Sequence, residues 1–205
     1  MILKHRKQSV WLLKLTALKR RLPHFHKQLA KVSEDHSLKK SGYRGEKALD
    51  YQLDYIINET DCVVLQDLRL TGQLERHFQV DTLFITPKFI TIIEAKNYAG
   101  TIEFKPEFNE LIQTKEGKQK GIKDPITQVK RQMQHLNFWL RQHHYPSIPL
   151  RYFITISNPT TIIKAPSTYK DALEKVIHVE QINTKLLELD KTKEDVLLNN
   201  ELMIK

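Results

Sequence analysis

The sequence contains a single cysteine, Cys62. One cysteine excludes an internal disulfide framework and suits a reducing compartment, so a cytoplasmic location is expected. Cys62 opens an apolar stretch and reads as a core residue rather than a nucleophile. No apolar run approaches the roughly 18 residues that span a bilayer, so no transmembrane segment is expected. Charges interrupt the apolar positions near the start and no small-residue cleavage site follows, which argues against a signal peptide. No phosphate-cradling glycine motif, nucleophile elbow or internal repeat is present, which argues against an ATPase or a serine hydrolase. No Cys/His cluster has zinc-ligand spacing, and His24, His26, His143 and His144 read as solvated basic-face or loop residues. At 205 residues and 40% hydrophobic composition, the chain suits one ordinary domain with a real core plus an extension.

Acidic residues are scarce in one region only. Residues 1–40 hold 11 Lys+Arg against 2 Asp+Glu, whereas the remaining 165 hold 22 of each sign. The whole formal charge of +9 therefore belongs to the N-terminal segment. A basic arm beside a neutral domain fits nucleic acid, an anionic membrane surface, or simply a solvated helix face. Met1 to about Val32 reads as helix, with Trp11, Leu15, Leu18, Leu22, Phe25, Leu29 and Val32 alternating at spacings of four and three. Lys14, Lys19, Arg20, Arg21, Lys27 and Lys31 surround this seam, and Pro23 should kink it or divide it. The seam is expected to pack onto the domain or onto a second copy, which leaves a homo-oligomer through this helix open; a basic amphipathic helix on a membrane is the other option. Ser33–Ser41 reads as a linker. The expected organisation is a basic amphipathic helical arm over 1–40 and a domain over 41–205, with its core at about 41–158 and a C-terminal strand and helices over 159–205.

The centre of the domain is the stretch from Phe78 to Tyr98. Two runs rich in β-branched and aromatic residues flank Thr86-Pro87-Lys88-Phe89 and read as two strands joined by a tight turn. With Pro87 and Lys88 at the tip, residues whose numbers sum to 175 face each other. Asp81 then lies across from Glu94 with Cβ atoms about 5 Å apart. Strand side chains alternate, so Glu94 and Lys96 share a face with Leu83, Ile85, Ile90 and Ile92. A three-residue loop would instead turn Asp81 to the other side. Buried carboxylates repel one another unless something positive holds them. Either Lys96 forms a salt bridge with Glu94 or Asp81, or a divalent cation is held, since Mg²⁺ takes one or two carboxylates plus waters and phosphate oxygens. Such an ion polarises phosphate, and a lysine beside it can orient a nucleophile or steady developing charge.

Further elements frame this stretch. A helix is expected from Gly42 to about Asn58, with Glu46, Leu49, Leu53 and Ile56 on one face, so Glu46 heads an apolar stripe aimed at the sheet. A first-turn glutamate also suits the helix dipole. Cys62–Leu68 reads as a strand before a turn at Thr71-Gly72. Thr101–Lys105 and Glu110–Thr114 suggest a second hairpin extending the sheet, and Lys115–Gly121 reads as a mobile polar loop. Asp124 can cap a helix that opens at Pro125 and runs to about His143. Its buried stripe is Ile126, Val129, Met133, Leu136 and Leu140, and Gln128 and Gln132 share another face beside Arg131. Leu150–Ser157 reads as a buried strand, Val176–Val179 as a short one, and the chain from Gln181 as one or two short helices.

Asp81 followed by Glu94-Ala95-Lys96 resembles the D…(D/E)-x-K signature of the PD-(D/E)XK nuclease superfamily. More narrowly, Gly42-Tyr-Arg-Gly-Glu46, Phe78-Gln-Val-Asp81, Glu94-Ala-Lys-Asn97 with Gly100, and Pro125-Ile-Thr-Gln128 resemble the nuclease-related domain (NERD) family over about residues 41 to 158. Val80 departs from the proline of the superfamily name. The resemblance implies an α/β restriction-endonuclease-like fold, an α-β-β-β-α-β core around a mixed central sheet. It also implies Mg²⁺- or Mn²⁺-dependent hydrolysis of phosphodiester bonds, in DNA first and RNA as the alternative. Asp81, Glu94, the Ala95 carbonyl and Glu46 would be the metal ligands, Glu46 directly or through water. Lys96 would position the attacking water, and Gln128 would be a secondary catalytic-site residue. Lys14, Lys19, Arg20, Arg21 and Arg131 are the candidate nucleic-acid contacts. Two rival readings are a binding module of the same fold and a membrane-peripheral protein using the N-terminal helix.

Overall fold

The hairpin at the centre forms with the expected register. In the computed structural model, which describes residues 1–72, 75–191, 195–199, 201 and 203, strands β3 (His77–Ile85) and β4 (Ile90–Lys96) pair antiparallel through Thr82↔Ile93, Leu83↔Ile92 and Ile85↔Ile90. Thr86 fixes the turn: its N–H donates to Phe89 O at 2.9 Å, and its hydroxyl accepts from the Lys88 and Phe89 amides at 3.2 and 3.1 Å. A short polar side chain that bonds its own turn makes the two-residue tip the preferred geometry.

Around the hairpin, β1 (Ile2–Lys4), β2 (Val63–Thr71), β8 (Leu150–Ile156) and β10 (Val176–His178) complete a mixed sheet in the order β1-β2-β3-β4-β8-β10. Helix α2 (Leu29–Ile56) covers one face through Leu49, Leu53 and Ile56, with α5 (Ile182–Asp190) beside it through Ile182 and Leu186. Phe84, Ile93 and Phe153 are the sheet residues beneath them. Helix α3 (Pro125–Gln142) covers the other face, packing Ile126, Val129, Leu136 and Leu140 over Leu83, Ile85, Ile90, Ile92 and Ile154. Both faces of β4 are therefore buried, which is why it reads as a nearly unbroken apolar run. Any charged group at its open end is held in a low-dielectric setting.

Several expectations are corrected. The segment 1–32 is not one helix: β1 lies parallel to β2, and α1 (Val10–Arg21) follows, capped by the Ser9 hydroxyl. A three-residue strand is too short to leave a periodic signature, and here the Met1 ammonium bonds Cys62 O at 2.5 Å. The expected linker at 33–41 is helical, within α2. It contains neither proline nor glycine, and pairs such as Lys31–Asp35 at 3.0 Å support a polar helix surface. The 4-3 seam is only partly buried: Leu15 is covered, together with Leu12 off the seam, whereas Trp11, Leu18 and Phe25 are exposed.

The second hairpin forms from β5 (Thr101–Lys105) and β6 (Glu110–Lys115), but it does not extend the main sheet. With β7 (Lys118–Lys123) and β9 (Ile162–Lys164) it makes a separate sheet, β7-β6-β5-β9. The polar loop expected at 115–121 is mostly strand. Its two-residue turn is Glu116-Gly117, both at positive φ (51° and 75°), the mirror-image turn that suits strand twist. A short helix, α4 (Lys170–Lys175), precedes β10 and was not expected. Of the helices expected from Gln181 onward, α5 is present; residues 192–194, 200, 202, 204 and 205 lie outside the described residues.

Candidate active site

Glu94 is the most enclosed charged side chain of the site, with 2% of its surface exposed. Three groups surround it on the α3 face. Lys96 Nζ donates to Oε1 at 2.6 Å and Gln128 Nε2 to the same oxygen at 2.5 Å, while Gln132 Nε2 donates to Oε2 at 3.0 Å. Lys96 Nζ also reaches Gln128 Oε1 at 3.1 Å, and Gln132 Nε2 reaches Gln79 O at 2.9 Å. The two glutamines arrive because α3 begins where the sequence caps it. Asp124 accepts from the Ile126 and Thr127 amides at 3.0 Å each, with Pro125 at the first position. One helical turn then separates Gln128 from Gln132 on the side facing β4.

Asp81, half-buried on β3, accepts the Ala95 N–H at 3.1 Å. Burial, then repulsion from Glu94 and Glu46, pushes its carboxyl up to about 7, against the pull of Lys96 and the Ala95 amide. For Lys96, burial disfavours the ammonium, but the opposite charge and hydrogen bond of Glu94 outweigh it, so its pKa is raised and it stays cationic. Burial likewise raises the nearby Tyr98 hydroxyl. Glu94, Lys96 and Gln128 thus gather on the α3 face, while the Asp81 carboxyl sits at the Ala95 amide within the electrostatic reach of both Glu94 and Glu46.

Glu46 points at the sheet, as its place on the helix stripe requires, but on the α2 face. There Arg6 Nη1 holds it at 2.9 Å. Burial raises the Glu46 carboxyl, Arg6 opposes that rise, and Asp67 adds to it. The same guanidinium bonds Asp50 through Nε at 3.3 Å and reaches Asp81 O at 2.8 Å and Thr82 Oγ1 at 3.0 Å through Nη2. Its backbone amide donates to Gln66 Oε1 at 2.8 Å. Close packing of α2 makes this possible: a Cβ on Gly45 would lie 2.7 Å from Ser157 Oγ and 2.9 Å from Asn97 Cβ. Asn97 in turn donates to Ser41 O at 2.9 Å, tying the end of β4 to the helix.

Three participants escaped the sequence reading. Arg6 lay among basic residues taken as a solvated arm, and no spacing signal distinguishes it. Gln132 carried a signal, its position four after Gln128, but only the structure brings it onto Glu94. Asp67, opposite Asp81 on β2, has a left-handed backbone (φ 53°) and accepts from Gln79 Nε2 at 2.5 Å; aspartate tolerates that conformation better than most residues. Of the candidate nucleic-acid contacts, Arg131 lines a groove beside Gln128 and Gln132, while Lys14, Lys19, Arg20 and Arg21 lie exposed along α1.

The family model for the nuclease-related domain matches residues 41–157, more than half of the chain. The chain belongs to the nuclease-related domain family. No curated protein and no solved structure matches it. The matched span runs from within α2 to just past β8 and contains Glu46, Asp81, Glu94, Lys96 and Gln128. With β5, β6 and β7 of the second sheet inserted between β4 and α3, its α2-β2-β3-β4-α3-β8 elements make the α-β-β-β-α-β core of a restriction-endonuclease-like fold. Arg6 lies outside the span and enters the nuclease-related domain from the N-terminal segment. No helix among the described residues is long and apolar enough to cross a membrane.

Among the described residues no three Asp, Glu, His or Cys side chains gather as a ready ligand set. Asp81 and Glu94 nevertheless fit a hard cation that keeps most of its waters, because their donors are oxygens and their mutual repulsion is what a cation relieves. Gln132 Oε1, buried beside Glu94 with no hydrogen-bond partner, points to unfilled polar capacity at the same place.

Proposed function

We propose that this nuclease-related domain hydrolyses phosphodiester bonds of DNA with Mg²⁺ or Mn²⁺ at Asp81 and Glu94. The observation that carries this reading is geometric: Asp81 accepts the amide of Ala95, the neighbour of buried Glu94, and Lys96 Nζ lies 2.6 Å from Glu94. Asp81, Glu94 and the carbonyl of Ala95 would hold the ion; Glu46, tied to Arg6, would act on it through water. Bound there, the ion supplies polarisation of the scissile phosphate and neutralisation of its charge.

The chain's own groups do the rest. Lys96, kept protonated by Glu94, offers N–H donors to the attacking water and to the phosphoryl oxygen where negative charge grows. As water adds to phosphorus and the bond to the departing sugar oxygen breaks, one proton must leave the water and one must reach that oxygen. Gln128 carries no charge to trade and acts by position, bonding both Glu94 and Lys96 so that neither swings away. Arg6 fixes the Asp81 backbone from the opposite face. Trp11, Leu13 and Leu18, exposed on α1, are where a second copy would pack if the chain self-associates.

Incubating the protein with plasmid and linear DNA in Mg²⁺, Mn²⁺ or EDTA tests the reading. Products that EDTA suppresses and that vanish in Asp81→Ala support hydrolysis at this site. Intact DNA under all conditions would leave a binding module of the same fold.

A further inference from the structure

A groove of about 790 Å³ lies between the start of β3, the end of β7 and the first half of α3. Its floor includes Gln128 and Gln132, the two glutamines whose amides hold Glu94. Arg76, Lys123 and Arg131 rise from three different elements into it, and all three are exposed. Among the described residues none of them forms an ion pair. The carboxylate in the lining, Asp124, caps α3 through both oxygens, and Glu110 lies across from Lys123 in the β6–β7 ladder. The three cations still outnumber the one acid in the lining, and exposed positive charge in excess favours an anion with repeated charges. The groove also has an aromatic wall: Phe78 and His135 stack with ring centroids 5.4 Å apart and planes at 24°. Cations along a channel with an aromatic platform are the two ingredients by which proteins hold unpaired bases and their backbone. The aromatic pair favours one strand over two, because bases in a duplex stack on one another and have no free face to lay on a side chain. A groove of this volume has room for about one or two nucleotides.

We propose that this groove binds a single strand of nucleic acid. Its phosphates lie on Arg76, Lys123 and Arg131 and a base lies against the Phe78–His135 pair, so the strand passes over Gln128 towards Glu94 and Lys96. The proposal rests on the nuclease reading for its direction of travel, but binding is measured without cleavage. In EDTA, fluorescence anisotropy with a labelled oligothymidylate of about ten nucleotides and with a blunt duplex of equal length should show the single strand bound at least about tenfold more tightly. Arg76→Glu, Lys123→Glu and Arg131→Glu should each weaken it several-fold. The alanine versions should each lower the slope of log affinity against log salt by about 0.7. These side chains are exposed, and unchanged thermal melts of the variants keep folding out of the comparison. Equal affinity for duplex, or unchanged single-strand binding in the charge reversals, overturns the proposal. Single-strand binding that needs the three cations, without EDTA-sensitive cleavage, upholds the groove and defeats the nuclease reading. Metal-dependent cleavage of single strands unaffected by the three reversals does the opposite.

Discussion

On the α2 face of the sheet, one arginine meets two acids; on the α3 face, one lysine also meets two. Arg6 gives Glu46 and Asp50 direct hydrogen bonds and has donors left for Asp81 O and Thr82. Lys96 bonds Glu94 and Gln128, and the bond found for Asp81 is to a backbone amide. A guanidinium serves several acceptors in a fixed fork, whereas an ammonium is a compact point charge. The first cluster is therefore a hydrogen-bonded strut, with Lys47 adding a second cation 3.4 Å from Asp50. The second keeps an acid whose proton is held up to about 7, and strongly perturbed groups of this kind mark places where chemistry is done.

The sharpest way to break this contrast is to delete the cation from each side. Lys96→Ala should lower DNA cleavage on the order of 1,000-fold, as loss of a charged transition-state donor does. Stability should fall as well, by about 1–3 kcal/mol, because buried Glu94 loses its cation and keeps only the amides of Gln128 and Gln132. Cleavage rates and melting curves measured side by side check both halves. Arg6→Ala should cost stability more, about 3–5 kcal/mol, because Glu46 loses its ion pair and Asp50 keeps only Lys47 at 3.4 Å. Chemical denaturation measures that loss, and a stable Arg6→Ala protein would reduce the strut to an ordinary surface pair.

A smaller effect sharpens the contrast through pH. Asp81 binds its proton more tightly folded than unfolded, between the ordinary 3.8 and about 7. Its contribution to stability is thus fully present below about pH 4 and is lost as pH rises through 7. Asp81→Asn should match the native protein near pH 4 and exceed it at pH 8 by on the order of 2 kcal/mol, the full shift being discounted for a half-buried group. Parallel unfolding curves across that range would remove the claim that Asp81 is strained.

The sequence made the site more legible than its surroundings. The Asp81–Glu94 pairing follows from alternation and a two-residue turn, both local. Asp124-Pro125 likewise set the start of α3 and so the reach of Gln128. Arg6 was hidden because its partners lie 40 or more positions away, and no spacing rule connects such distant residues. Ser33–Ser41 misled because polarity was taken for irregularity, although nothing in it breaks a helix. The second sheet exposes the same limit: β5 and β6 are readable as strands, but which sheet they join depends on β9, some sixty positions later.

The most direct test is calorimetric titration of the metal-free protein with Mn²⁺ at pH 8, compared with Asp81→Asn and Glu94→Gln. The account predicts one ion bound by the native protein and affinity lower by at least about tenfold in each variant, since each removes one carboxylate ligand. Indistinguishable isotherms for the three proteins, or no heat from the native one, would contradict it.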